Sequence, residues 1–206
     1  MEQRTDDWFA ARLGKITASR IADILQVAGK PETAKRRNYR TELICERLTG
    51  VRSESYTNEA MQRGIDLEPV ARSVFEMYKL VTVVEVGFID HPSIPMAGAS
   101  PDGLIGDDAI IEIKCPQPNT HVETLMDGKV PTKYIPQIQW QLACTGRKVC
   151  YFTSYCPEMG NNLELAVFTV PRDDTYIKML ETEVERFNNE IETYLEQLKG
   201  IKHGKS

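Results

Sequence analysis

The chain has 206 residues, 41% hydrophobic and 27% charged, a length suited to a single globular domain over 1–206 with a substantial core. A formal net charge of −5 excludes a uniformly basic nucleic-acid coat, while leaving room for an enzyme whose acidic centre holds cations. No run nears the roughly 18 apolar residues of a membrane span. Met1-Glu2-Gln3-Arg4 leads into no hydrophobic signal segment, so the expectation is a cytoplasmic protein without a membrane anchor.

Thr17-Ala18-Ser19 offers N-caps for a short helix through Ile21, Ile24 and Leu25 that ends near Gly29-Lys30-Pro31. Residues 36–49 read as a second helix, with Leu43, Ile44 and Leu48 inside and Gly50 as its stop. Lys30, Lys35, Arg36, Arg37 and Arg40 around its start read as a solvated basic face. A third helical pattern runs from about Thr57 to Lys79, and Pro69 should end it, kink it or begin a new helix. VTVVEVGFID (81–90) is β-branched and reads as a strand. Residues 96–106 and 109–115 follow as two strands around the hairpin signal Gly106-Asp107-Asp108. Helices are expected at 119–127 and 132–145, strands at 148–156 and 163–170, and a long charged helix from Asp173 to about Lys199. This order gives an α/β (α+β) fold, a central mixed sheet flanked by helices. The five cysteines carry no C-x-x-C and read as reduced core thiols, and the histidines His91, His121 and His203 form no metal pattern.

Along residues 109–114, Ile110, Glu112 and Lys114 share one strand face and Ile111 and Ile113 the other. Across the hairpin, Asp102 can lie beside Glu112. Two carboxylates so placed repel unless a cation or proton stands between them. Mg²⁺ accepts that geometry, using one or two carboxylates with waters and phosphate oxygens. Lys114 would then hold an attacking water or neutralise charge on phosphate. An arbitrary E-x-K is more commonly the solvent face of a hairpin. Here the upstream Pro-Asp-Gly at a strand end favours the functional reading.

The P-D-x9-E-x-K pattern resembles the PD-(D/E)-x-K nuclease superfamily, with its restriction-endonuclease-like core. More specifically, WFAARLGKITASRI (8–21), RGIDLEPVAR (63–72), GASPDGL (98–104), IEIKCP (111–116) and YIPQIQWQLA (134–143) follow the order of the phage lambda exonuclease family, the YqaJ-type viral recombinases or alkaline exonucleases. That resemblance implies a Mg²⁺-dependent enzyme, Mn²⁺ substituting, that digests one strand of duplex DNA 5′→3′ and leaves a 3′ single-stranded tail. It implies Asp102, Glu112, the backbone carbonyl of Ile113 and, directly or through water, Glu68 around a pair of ions, with Lys114 as the catalytic lysine. It also implies Arg12, Ser19, Ser100 and Gln137 as a pocket for the terminal 5′ phosphate, and Tyr134 and Met61 as DNA contacts. The partners implied are 5′-phosphorylated DNA ends, two further copies of the chain in a ring-shaped homotrimer, and a single-strand annealing protein, in a bacterial host cell. No G-x-x-x-x-G-K-[ST] motif is present, so ATP is not expected. Two alternatives stay open on the residues alone: an endonuclease of the same superfamily, and a non-catalytic DNA-end-binding protein.

Overall fold

A computed structural model describes residues 2–27, 29–53, 58–160 and 162–201. Thr57 and His203 lie outside the described residues. Two mixed sheets share the fold, and the chain passes from one to the other at the point where Asp102 stands. The smaller sheet has the order β1 (Ile16–Thr17), β3 (Ala97–Ala99), β2 (Ile89–Asp90), with β1 parallel and β2 antiparallel to β3. The larger sheet orders β4 (Gly103–Ile105), β5 (Ala109–Lys114), β6 (Val149–Tyr155) and β7 (Leu165–Pro171); only the β5–β6 pair is parallel.

The expected strand 96–106 is therefore two strands, one in each sheet. Pro101 has no N–H to give a ladder, and Ser100-Pro101-Asp102 forms the break. Most of 81–90 is not strand either. Val84 makes one antiparallel bridge to Leu104, and regular pairing resumes only at Ile89. The crossing is tight: a Cβ on Gly103 would stand 2.1 Å from Val83 Cγ1. The hairpin turn is as expected, with Gly106 at φ +49° and the register Gly103–Ile111, Ile105–Ala109.

Helices cover both faces of the larger sheet. On one face α4 (Glu59–Lys79) packs Ala71 and Phe75 against Ile111, Ile113 and Tyr155. On the other, α6 (Ile135–Thr145) brings Ile138, Trp140 and Leu142 to Ile110, Cys150 and Phe152. That second core continues into α2 (Ile21–Ile24), α3 (Ala34–Thr49) and α7 (Asp174–Gly200), whose Phe187 and Ile191 are fully buried. The remaining helices are α1 (Asp6–Arg12), capped by Thr5, and α5 (Pro118–Asp127). Among these, α1 was not expected from the sequence, and α2 stops at Ile24, short of the expected end.

Contrary to the sequence expectation, α4 runs unbroken through Pro69. Pro69 lies on the exposed side of the helix. The basic face at 30–40 also differs from expectation. Lys35 and Arg37 are exposed, but Arg36 is only 2% exposed. Its guanidinium bonds both oxygens of Glu190 at 2.7 and 2.8 Å and Glu32 at 2.8 Å, tying α3 to α7. Arg40 joins the same two acids. His91 stacks on Trp140, and His121 spans Ser154 Oγ and the Leu163 carbonyl, so both are packing residues. The cysteines are free. No helix among the described residues is long and apolar enough to cross a membrane.

Candidate active site

The break between the sheets opens a cleft of about 770 Å³ bounded by α1, α4, β5 and α6. Beyond Gly103–Ile111 the strand pairing gives way to a side chain: Asp102 N–H still donates to the Ile111 carbonyl at 3.2 Å, and Ile113 N–H donates to Asp102 Oδ2 at 2.6 Å. The register thus carries Asp102 level with Glu112. The carbonyl of Ile113 faces the same strand edge as its N–H, toward the cleft.

Glu112 is 1% exposed. Its Oε1 accepts from Lys114 Nζ at 2.5 Å and Gln137 Nε2 at 2.6 Å, and its Oε2 accepts from Gln141 Nε2 at 2.6 Å. Lys114 stands 5.3 Å from the ring centroid of Tyr134, which packs on Phe152. Glu68 enters from α4, one oxygen on Arg72 Nη2 at 2.9 Å and the other on Arg4 Nη2 at 2.5 Å. Burial pushes the Asp102 carboxyl well above the usual carboxylate range, and the neighbouring Glu112 and Glu68 push it further; Lys114 and the Ile113 N–H only partly offset them. Burial acts to lower the Lys114 pKa, but Glu112 and Asp102 outweigh it and keep the ammonium charged. The adjacent Cys115 thiol is pushed up to about 12, by burial and then by Glu68 and Asp102, and is chemically quiet.

Three acids in one buried cleft are stable only with a compensating cation or proton. Among the described residues no three His, Cys, Asp or Glu side chains close on a point as a ready metal cage. The donor set still fits a hard divalent ion: two adjacent carboxylates and a free-edge carbonyl, with space for waters and phosphate oxygens.

On the opposite wall, Arg12 lies face-on to Trp8, its Cζ 4.1 Å from the ring centroid, and donates to Ser100 Oγ at 3.2 Å. Trp8 Nε1 donates to the same oxygen at 2.9 Å. Among the described residues no carboxylate forms a salt bridge with Arg12. The nearby Glu46 is occupied by the N–H groups of Gly14 and Ser53. Burial lowers the pKa of this guanidinium, Tyr39 and Glu46 offsetting only part of it. Ser19, whose Oγ is 3.4 Å from Thr17 Oγ1, lines the same cleft, as do Ser100 and Gln137. Met61 stands at the rim, 51% exposed, where α4 begins.

All the residues singled out from the sequence thus line one cleft. Gln137 differs in its engagement, because its N–H is given to Glu112. Three contributors were not singled out. Trp8 is one helical turn before Arg12, and Gln141 one turn after Gln137; both i, i+4 spacings were legible. Arg4 carries no such signal, as its backbone is left-handed at φ +68° and only the folded chain brings it to Glu68.

The family model of the YqaJ-like viral recombinase domain matches residues 7–148. The chain belongs to the YqaJ-like viral recombinase family. Similar to this YqaJ-like chain is the crystal structure of an alkaline exonuclease, LHK-Exo, from Laribacter hongkongensis. It is 49% identical, with 95% of this chain and 96% of that one covered and a TM-score of 0.88. LHK-Exo in complex with dAMP gives 50% identity over 95% and 96%, with a TM-score of 0.89. A phage related exonuclease from Haemophilus somnus 129PT, 13% identical over 89% and 96% with a TM-score of 0.71, shares the YqaJ-like chain's fold. Comparison with curated proteins gives no match.

Proposed function

We propose that this nuclease is a Mg²⁺-dependent exonuclease that digests one strand of linear duplex DNA from its 5′-phosphorylated end and leaves a 3′ single-stranded tail for strand annealing. The observation that carries the reading is the pairing of two sites in one cleft. Asp102, Glu112 and Lys114 form a hydrolytic centre, and in the same cleft is Arg12, a half-buried guanidinium without a salt-bridge partner among the described residues. A guanidinium of that kind, with the hydroxyls of Ser100 and Ser19, fits a terminal phosphate. An endonuclease has no use for such a pocket at an internal bond, and a non-catalytic end-binding protein has no use for the buried acids and lysine. The similarity to LHK-Exo, one of whose structures holds dAMP, supports a nucleotide in this cleft.

Asp102, Glu112 and the Ile113 carbonyl would hold the cation, with Glu68 reaching it directly or through water. When bound, the ion supplies a Lewis acid for the scissile phosphate and lowers the pKa of the attacking water. The remaining chemistry belongs to the chain. Lys114, kept protonated by Glu112, neutralises charge growing on the phosphate oxygens. Arg12, Ser19, Ser100 and Gln137 hold the terminal phosphate, which fixes the next bond over the acids. Met61 would contact the terminal bases, and Tyr134 the DNA beside the active site. A homotrimeric ring reconciles an acidic chain with a DNA substrate, because only its channel must be basic. ATP has no role.

The test is incubation with Mg²⁺ of 5′-phosphorylated linear duplex, the same duplex with 5′-hydroxyl ends, and closed circular duplex. Loss of the phosphorylated linear form alone, with 5′-mononucleotide products and inhibition by EDTA, is expected. Digestion of the closed circle would overturn the exonuclease reading, and full activity in EDTA the metal assignment.

A further inference from the structure

The oxygens of Glu112 are not equally available. Oε1 faces the cleft, and both Lys114 and Gln137 already donate to it, which fills the lone pairs of a carboxylate oxygen. Oε2 accepts from the fully buried Gln141, which does not line the cleft. A cation entering from the cleft therefore meets an oxygen with no free lone pair, and one donor has to leave.

The two glutamines differ in their freedom to do so. Gln137 is half-buried and lines the cleft that Arg12, Ser19 and Ser100 also line. Gln141 is completely buried, and its own Oε1 has no hydrogen-bond partner. Turning the Gln141 amide over would aim that oxygen at the Glu112 carboxylate, so its orientation is fixed. An orphaned amide oxygen in a core destabilises the fold relative to an apolar side chain of the same shape. Gln141 thus does not earn its position by stability, which leaves its grip on Glu112 as the reason for an amide there.

We infer that Gln141 is a positioning residue, the fixed arm of a clamp that aims Glu112, and that Gln137 is the exchangeable arm. A terminal phosphate reaching the pocket offers Gln137 new acceptors, and the N–H it withdraws from Glu112 Oε1 frees that oxygen for the cation. Phosphate recognition and metal binding would then favour each other by the same factor, as linkage requires. This rests on the function proposed above.

The test uses Ca²⁺, which binds hard oxygen sites while supporting little chemistry, and calorimetry on the intact protein. Wild type, Gln141→Met and Gln137→Met are each titrated alone and with duplexes bearing 5′-phosphate or 5′-hydroxyl ends. Two glutamines that donate to one carboxylate should give opposite signs. Gln141→Met is expected to weaken Ca²⁺ binding about ten- to a hundredfold, the usual effect of losing a partner of a metal ligand. Gln137→Met is expected to bind Ca²⁺ at least as tightly as wild type. Phosphorylated ends should tighten Ca²⁺ binding in wild type and not in Gln137→Met. Equal weakening in both variants, or a phosphate effect that survives Gln137→Met, overturns the inference. If Gln141→Met does not fold, the sign for Gln137→Met decides alone: weaker binding refutes the exchangeable arm. Wild type that binds no Ca²⁺ would instead refute the metal site itself.

Discussion

Replacing Arg12 with methionine keeps an unbranched apolar side chain and removes the guanidinium, with its contact on the Trp8 ring. In the free protein that group is already partly stripped of its water, and it donates to a neutral hydroxyl, Ser100 Oγ at 3.2 Å. Its desolvation cost is thus incurred on folding and need not be met again when a phosphate arrives. A hydrogen bond to a charged group contributes about 1.5–3 kcal/mol, and this preorganisation places Arg12 toward the upper end. The preference for a 5′-phosphate over a 5′-hydroxyl end should therefore fall about thirty- to a hundredfold. Stability should change little, because a half-buried charge without a salt-bridge partner is removed together with its contact on Trp8. The assay is single-turnover cleavage of two duplexes that differ only in that phosphate, with thermal melting of the same protein samples. The reasoning is refuted if wild type ignores the terminal phosphate, or if Arg12→Met keeps the ratio. It is equally refuted if the variant loses both rates alike and melts lower, since Arg12 would then be a packing residue.

Lys114→Ala and Glu112→Ala should each reduce cleavage by more than about a hundredfold while DNA-end binding, read by fluorescence anisotropy, survives. The folded-state pKa of Asp102 is raised, so the metal-free protein gains from its proton at low pH and loses that contribution as pH rises through the raised value. Mg²⁺ binds the deprotonated form, so the rise in melting temperature it causes should grow as pH rises through that raised value; a pH-independent gain would contradict the site. Arg36→Ala should cost about 2–3 kcal/mol, the low end for a broken buried pair because Glu190 and Glu32 keep some water, and lower the melting temperature by about 5–10 °C. Light scattering should report about three times the 23.4 kDa chain, and a monomer that digests long duplexes in one encounter would remove the ring.

The catalytic hairpin was legible because alternation along 109–114 leaves one register that buries Ile111 and Ile113 on α4 and turns Glu112 toward α6. Helix ends were legible where the chemistry is local: Gly50 and Gly128 both take up left-handed C-cap conformations. What failed depended on distant partners. VTVVEVGFID has strand composition, but only Val84 finds a strand edge before Ile89, so composition without a neighbour gave no strand. Arg36 looked solvated because Glu190, more than a hundred residues away in sequence, is what draws it inside. Gln141 was passed over since a glutamine becomes informative only once its burial against Glu112 is seen.

The break at Ser100-Pro101-Asp102 has one more consequence. Ser100 belongs to the wall that would grip the terminal phosphate and Asp102 to the wall that would cut, and only Pro101 stands between them. Proline stiffens the link between them, and strand pairing anchors each end in its own sheet. The spacing of the two walls is thus set by covalent geometry rather than by the reach of a flexible loop.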